Sequence, residues 1–249
     1  MKTKNYFRLG VLIVLLAGIN ACTFFDKKQK SENESSNAEE IAEEINIPET
    51  GIVPADFVPE GFAFFEEIYG DLNNDGLEDC ALIIKGTDKN KFVKDEYQGE
   101  FDRNRRGIII LFNKEEYYEA ALENYTCFSS ENEDGGAYIA PDLWIYIENG
   151  NLYFHYGHGK YGYWKYTFRY KNYDFELIGY DISNSRGPVI ESEVSMNFLT
   201  KKKLTRVNVS TEADEEVFEE TWDNIKVEKL IKLSEITDFD DFDFHSVEI

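Results

Sequence analysis

The chain is poor in the residues that make stapled or metal-clustered scaffolds, with three cysteines, five prolines and three histidines in 249 residues. So few cysteines exclude a disulfide-dense frame. His155 and His158 form the one close histidine pair, and no cysteine or carboxylate joins them at zinc-site spacing. Positive charge is scarce as well, 26 Lys and Arg against 49 Asp and Glu, for a net charge of −23. Such an acidic body repels phosphates, so no nucleic acid is expected as a partner. The basic clusters that stand against it are Lys201-Lys202-Lys203 and Arg103-Asn104-Arg105-Arg106. There is no Gly-x-Ser-x-Gly, no His-Glu-x-x-His and no phosphate-binding glycine loop, so no catalytic residue is named. The apolar run Leu9–Ile19 is about half the twenty residues a helix needs to span a bilayer.

That run is nevertheless informative. Lys2, Lys4 and Arg8 precede it, and Asn20-Ala21-Cys22 closes it with a small residue directly before a cysteine. Basic start, apolar middle and small-residue end are the order of a secretory signal. With the cysteine, the segment resembles a bacterial lipoprotein signal. The resemblance implies cleavage after residue 21 and lipid on Cys22, so that two acyl chains hold the protein on a membrane. Asp does not follow Cys22, which favours the outer membrane of the cell envelope. Residues 27–50 are rich in Lys, Glu, Ser and Asn and lack aromatics, too polar to repay ordering. The expected organisation is a signal over 1–21, an acidic tether over 22–54 and a single mainly-β domain over 55–249.

The segment Gly70-Asp71-Leu72-Asn73-Asn74-Asp75-Gly76-Leu77-Glu78-Asp79 places oxygen-bearing side chains at alternate positions around a glycine. Calcium takes six to eight oxygens, and alternate residues of a tight turn supply them. Asp71, Asn73 and Asp75 would give side-chain oxygens, Leu77 its carbonyl, and Asp79 a closing carboxylate. Position twelve is Leu82 and not the glutamate of an EF-hand, and Cys80-Ala81-Leu82-Ile83-Ile84 reads as a buried strand. An acidic surface turn is the plainer alternative. A loop of this pattern feeding a strand resembles the calcium loops of FG-GAP and VCBS repeat proteins. Over residues 57–180 the chain looks like uncharacterised bacterial envelope proteins with one such loop. The resemblance implies a β fold and structural Ca2+, and no activity. One copy of the loop does not make a propeller.

The remainder predicts an antiparallel sheet or sandwich of hairpins with one or two short helices. Gly107–Phe112 pairs with Tyr117–Leu122, and Leu143–Ile147 with Leu152–Tyr156 around Asn149-Gly150, the plainest hairpin signal in the chain. Tyr163–Tyr170 pairs with Asp174–Asp181, and Val194–Leu199 with Leu204–Val209. Residues 211–220 read as an acidic connector, Ser129–Gly136 as an exposed loop, and Ile225–Ile236 as a short helix. Aromatics concentrate from Trp144 to Tyr180, either as strand core or as a platform for sugars. Cys80 and Cys127 either form a disulfide or pack as two buried thiols. The expected function is a lipid-anchored, calcium-stabilised binding or structural protein with a glycan or protein ligand. The alternative is an envelope hydrolase acting on glycans through carboxylates.

Overall fold

The computed structural model describes residues 45–95, 99–133, 141–212 and 216–242. Cys22, the signal and most of the tether lie outside the described residues.

Two runs dominate the first half of the fold because almost every residue in them is apolar. Strands β3 (Asp79–Gly86) and β6 (Arg106–Asn113) lie side by side and are buried along nearly their whole length. Around them β1 (Thr50–Gly51), β2 (Phe62–Gly70) and β7 (Tyr118–Phe128) complete a five-stranded antiparallel sheet in the order β1-β7-β6-β3-β2. Strand alternation sends Ala81, Ile83, Ile108 and Ile110 to one core and Cys80, Leu82, Ile84 and Ile109 to another. The second core is closed by the incoming chain, where Ile47 and Phe57 pack on the sheet. Pro54–Phe57 is a 3-10 turn there, held by the Ile52 and Val53 N–H groups on Asp56 Oδ2 at 2.8 and 3.0 Å. Folded chain therefore begins before residue 55, because Thr50 and Gly51 already pair with Glu119 and Tyr118. A small ribbon of β4 (Phe92–Asp95) and β5 (Gly99–Asp102) branches between β3 and β6.

The second sheet is a seven-stranded antiparallel meander. It runs through β8 (Asp142–Glu148), β9 (Asn151–Gly157), β10 (Gly162–Lys171), β11 (Asp174–Arg186), β12 (Val189–Asn197), β13 (Lys202–Asn208) and β14 (Phe218–Asn224), each beside the next. Asn149 and Gly150 join β8 to β9 with φ of 51° and 72°, the left-handed pair that a two-residue hairpin requires. The sheet is curled, and its first strands face the five-stranded sheet across the larger core. Leu152, Phe154 and Phe168 meet Ile110 and Phe128 there. The antiparallel β expectation holds, and each expected pairing forms.

Two expectations are corrected. Phe218–Glu220 belong to β14, not to a connector, since they pair with Asn208, Val207 and Arg206, while residues 213–215 of the expected connector lie outside the described residues. Ile225–Ile236 is not a helix. It runs irregularly into a single 3-10 turn at Leu233–Glu235, with Ile231 accepting from the Leu177 N–H at 2.8 Å. The reason is burial: Leu233, Ile236 and Phe239 each drop into the gap between the sheets, and Phe239 stacks on Phe128 at 5.3 Å. The Asn124 amide donates to the Leu233 and Ile236 carbonyls at 2.9 and 2.7 Å, satisfying backbone that a helix would have satisfied itself.

Candidate functional site

The loop between β2 and β3 folds inward on its own oxygens. Asp71 accepts from the Asp75 and Gly76 N–H groups at 3.1 and 3.0 Å. Asn73 Oδ1 accepts from Asp75 N at 2.8 Å, and Asp75 Oδ1 from Leu77 N at 2.9 Å. Asn74 and Gly76 take φ of 62° and 90° to make the turn. Asp79 is turned the other way. Fully buried at the start of β3, it accepts from Leu72 N and Asn73 N on one oxygen and from Asn113 N on the other. Burial pushes its carboxyl up, against the pull of those three N–H groups. Among the described residues no three His, Cys, Asp or Glu side chains form a metal cluster. The donor set is nevertheless all oxygen, and Asp71, Asn73 and Asp75 keep lone pairs beyond the backbone bonds, which is compatible with a hard cation. Asn74 also touches the other sheet, since a Cβ on Gly150 would lie 2.7 Å from its Oδ1.

The aromatic segment divides by strand alternation. Phe154, Tyr156, Trp164, Tyr166 and Phe168 point to the core. Their neighbours in sequence point to the opposite, outer face of the meander. There Tyr146 stacks on Tyr153 at 4.7 Å, His155 on Tyr163 at 4.8 Å, and Trp144 lies 5.3 Å from His155. Trp144 crosses Gly157, where a Cβ would sit 2.7 Å from the indole, so only glycine leaves the ring room to lie down. The rings thus split between the core and the outer face of the meander.

Register extends the outer face across the whole meander. Trp144 pairs with His155, His155 with Lys165, Lys165 with Asp181, and the line continues through Ser195 and Leu204 to Trp222. Lys165 Nζ is 3.2 Å from Asp181 Oδ2, and Ser195 Oγ donates to Asp181 Oδ1 at 2.6 Å. Arg206 pairs with Glu193 and, at 3.2 Å, with Glu220, and its guanidinium lies 4.2 Å over Phe218. Tyr163, Asp181, Glu193, Ser195, Leu204 and Arg206 border a cleft of about 200 Å³. Burial, then Lys165, lowers the His155 pKa, so its imidazole is neutral at pH 7 and presents one donor and one acceptor. Lys165 stays cationic because Asp181 outweighs its burial. The sequence singled out the rings of β8 to β10. It missed Lys165, Asp181, Glu193, Arg206 and Trp222, whose common face depends on cross-strand register.

A second charged group lies inside. Lys85 and Arg106 are directly opposed on β3 and β6, a repulsive pairing. Glu131 answers it, 2.6 Å from Lys85 Nζ and 4.0 Å from Arg106 Nε, and Asp102 Oδ2 adds a contact to Lys85 at 3.1 Å. Ser129–Glu133 is the described part of the expected loop, with Glu131 and Glu133 exposed and Ser130 buried, where its hydroxyl donates to the Asp102 carbonyl; residues 134–136 lie outside the described residues. Lys85, Arg106, Asp102 and Glu131 neutralise one another. Cys80 and Cys127 are free and buried, one in each core on opposite faces of the five-stranded sheet, so the bridge does not form. Burial pushes the Cys80 thiol up to about 12 and raises that of Cys127 too, which keeps both unreactive.

The chain matches no family model, no curated protein and no solved structure.

Proposed function

We propose that this is a lipid-anchored envelope protein whose β domain binds glycans on the outer face of the seven-stranded sheet. One observation carries the reading: a single cross-strand line runs from the exposed ring of Trp144 through His155 and the paired Lys165, Asp181 and Ser195 to the exposed ring of Trp222. A sugar offers both complements, C–H faces that pack on rings and hydroxyls that bond carboxylates, ammonium and imidazole. The carboxylates in the cleft, Asp181 and Glu193, are each held by a cation, which suits hydroxyl binding better than acid–base work. Cys22 and the tether hold the domain at the outer membrane. Calcium on Asp71, Asn73, Asp75 and the Leu77 carbonyl steadies the loop against the β8–β9 turn, and Asp79 braces its base instead of closing the shell. The ion supplies positive charge to an acidic turn and is structural.

A glycan array probed with the full-length chain in detergent tests the reading, alongside turnover assays on any bound sugar. Binding that weakens in Trp144→Ala, without cleavage, supports it. Cleavage abolished in Asp181→Asn would give the face to a hydrolase instead.

A further inference from the structure

The outer face is long in one direction. Trp144 and Trp222 stand on the two edge strands of the meander, 56% and 63% exposed, at opposite ends of one cross-strand line. Six interstrand spacings of about 4.8 Å put them roughly 29 Å apart on a flat sheet, and closer once it curls. A single sugar ring reaches only one of them. Between them the line holds polar groups already set in pairs, Lys165 with Asp181 and Ser195 with Asp181.

Charge narrows the ligand. The two cations beside the cleft, Lys165 and Arg206, are both committed to carboxylates. An anionic sugar would find both of those cations already paired and would meet Asp181, Glu193 and Glu220 in a chain of net charge −23, while Lys202, two residues along the same face, is bonded to the Asn224 side-chain oxygen at 2.7 Å. An apolar protein surface would strip water from these ion pairs and return nothing. Hydroxyl groups replace that water donor for donor.

On the glycan-binding reading above, we infer that the ligand is a linear, uncharged oligosaccharide laid across the strands, with Trp144 and Trp222 stacking on its ends. His155, Lys165, Asp181 and Ser195 bond hydroxyls in the middle. The gain from each added ring contact multiplies, so affinity climbs with chain length until both tryptophans are engaged.

The test is calorimetry of the full-length chain with neutral β-glucan, xylan and mannan oligomers from dimer to hexamer, and with oligogalacturonates as the anionic arm. The expected result is a neutral series whose Kd falls by about tenfold or more from dimer to hexamer. Trp222→Ala should flatten the upper part of that series, weakening the hexamer by about two- to tenfold while sparing the dimer. Trp222 is exposed, so an unchanged melting curve shows that the variant folds. Equal affinity for dimer and hexamer overturns the extended site while leaving glycan binding in place. Preference for the anionic series overturns the neutral ligand. Binding of no oligomer at any length overturns the glycan reading itself, as does retention of a protein partner on the same face that Trp222→Ala releases.

Discussion

The five-stranded sheet is buried on both faces, by the meander on one side and by the incoming chain around Phe57 on the other. The seven-stranded sheet buries only the inner face of its first strands, and β14 is exposed along almost its whole length. The same chemistry therefore acts differently in each. The buried cations of the first sheet, Lys85 and Arg106, are neutralised by Asp102 and Glu131, whereas ions in the second line an open face and remain available to solvent. One sheet answers for stability, and the other is free to answer to a ligand.

The sharpest way to break this comparison is to cut into the first sheet. Ile110 is fully buried in the core between the sheets. Ile110→Ala should cost about 2–5 kcal/mol, removing its packing and leaving a cavity. Urea unfolding measures this, and a loss below about 1 kcal/mol would mean that the core is not where the fold is held.

Calcium is the next largest effect, and it tests whether the sheets are joined at the loop. An ion that binds only the folded chain should stabilise it by about 2.7 kcal/mol at a hundredfold excess over Kd. Melting temperature should rise with calcium, and the rise should vanish in Asp71→Ala. Because Asn74 rests on Gly150, Trp144 fluorescence should respond as well. A melt unchanged by excess chelator would sink the metal reading.

A smaller change is expected at Lys85, through pH. Burial pushes the Asp102 carboxyl up, but bonds from Asn104 and Lys85 outweigh it and hold it below its ordinary 3.8. A folded pKa lowered in this way gives stability that is present above the ordinary value and lost as pH falls through the lowered one. Lys85→Met should cost about 2 kcal/mol at pH 7, discounted because Asp102 and Glu131 are partly exposed. It should also lose less on acidification than the parent. Urea melts at pH 7 and pH 3 decide it; equal acid losses would deny Asp102 this part.

Much of this was legible locally. Asn149-Gly150 announced its hairpin because only a left-handed pair makes that turn, and the apolar runs of β3 and β6 announced two-sided burial. Non-local facts were hidden. The apolar spacing of Ile225, Leu230 and Leu233 suits a helix, yet their positions are set by a gap between sheets. Cys80 and Cys127 sit in different cores partly because β7 is irregular against β6, with register shifts beside Ile108 and Leu111, and such shifts reverse which face a side chain takes. The oxygen spacing of Asp71, Asn73 and Asp75 was readable, whereas the turning of Asp79 toward Asn113 was not, because Asn113 lies on another strand. The outer-face line needed six registers at once.

The smallest expected change in stability completes the contrast. Trp222 is among the bulkiest side chains of the meander, and in a core its truncation would cost about 3–5 kcal/mol. On β14 it buries little of its surface, so Trp222→Ala should fall within about 0.5 kcal/mol of the parent in urea. A large exposed ring at the end of a polar line, with so little effect on folding, is left free for the ligand contact proposed above. If Trp222→Ala instead destabilises by about 2 kcal/mol or more, the ring is packing material. The second sheet would then hold the fold as the first does, and the division of labour between them would fail.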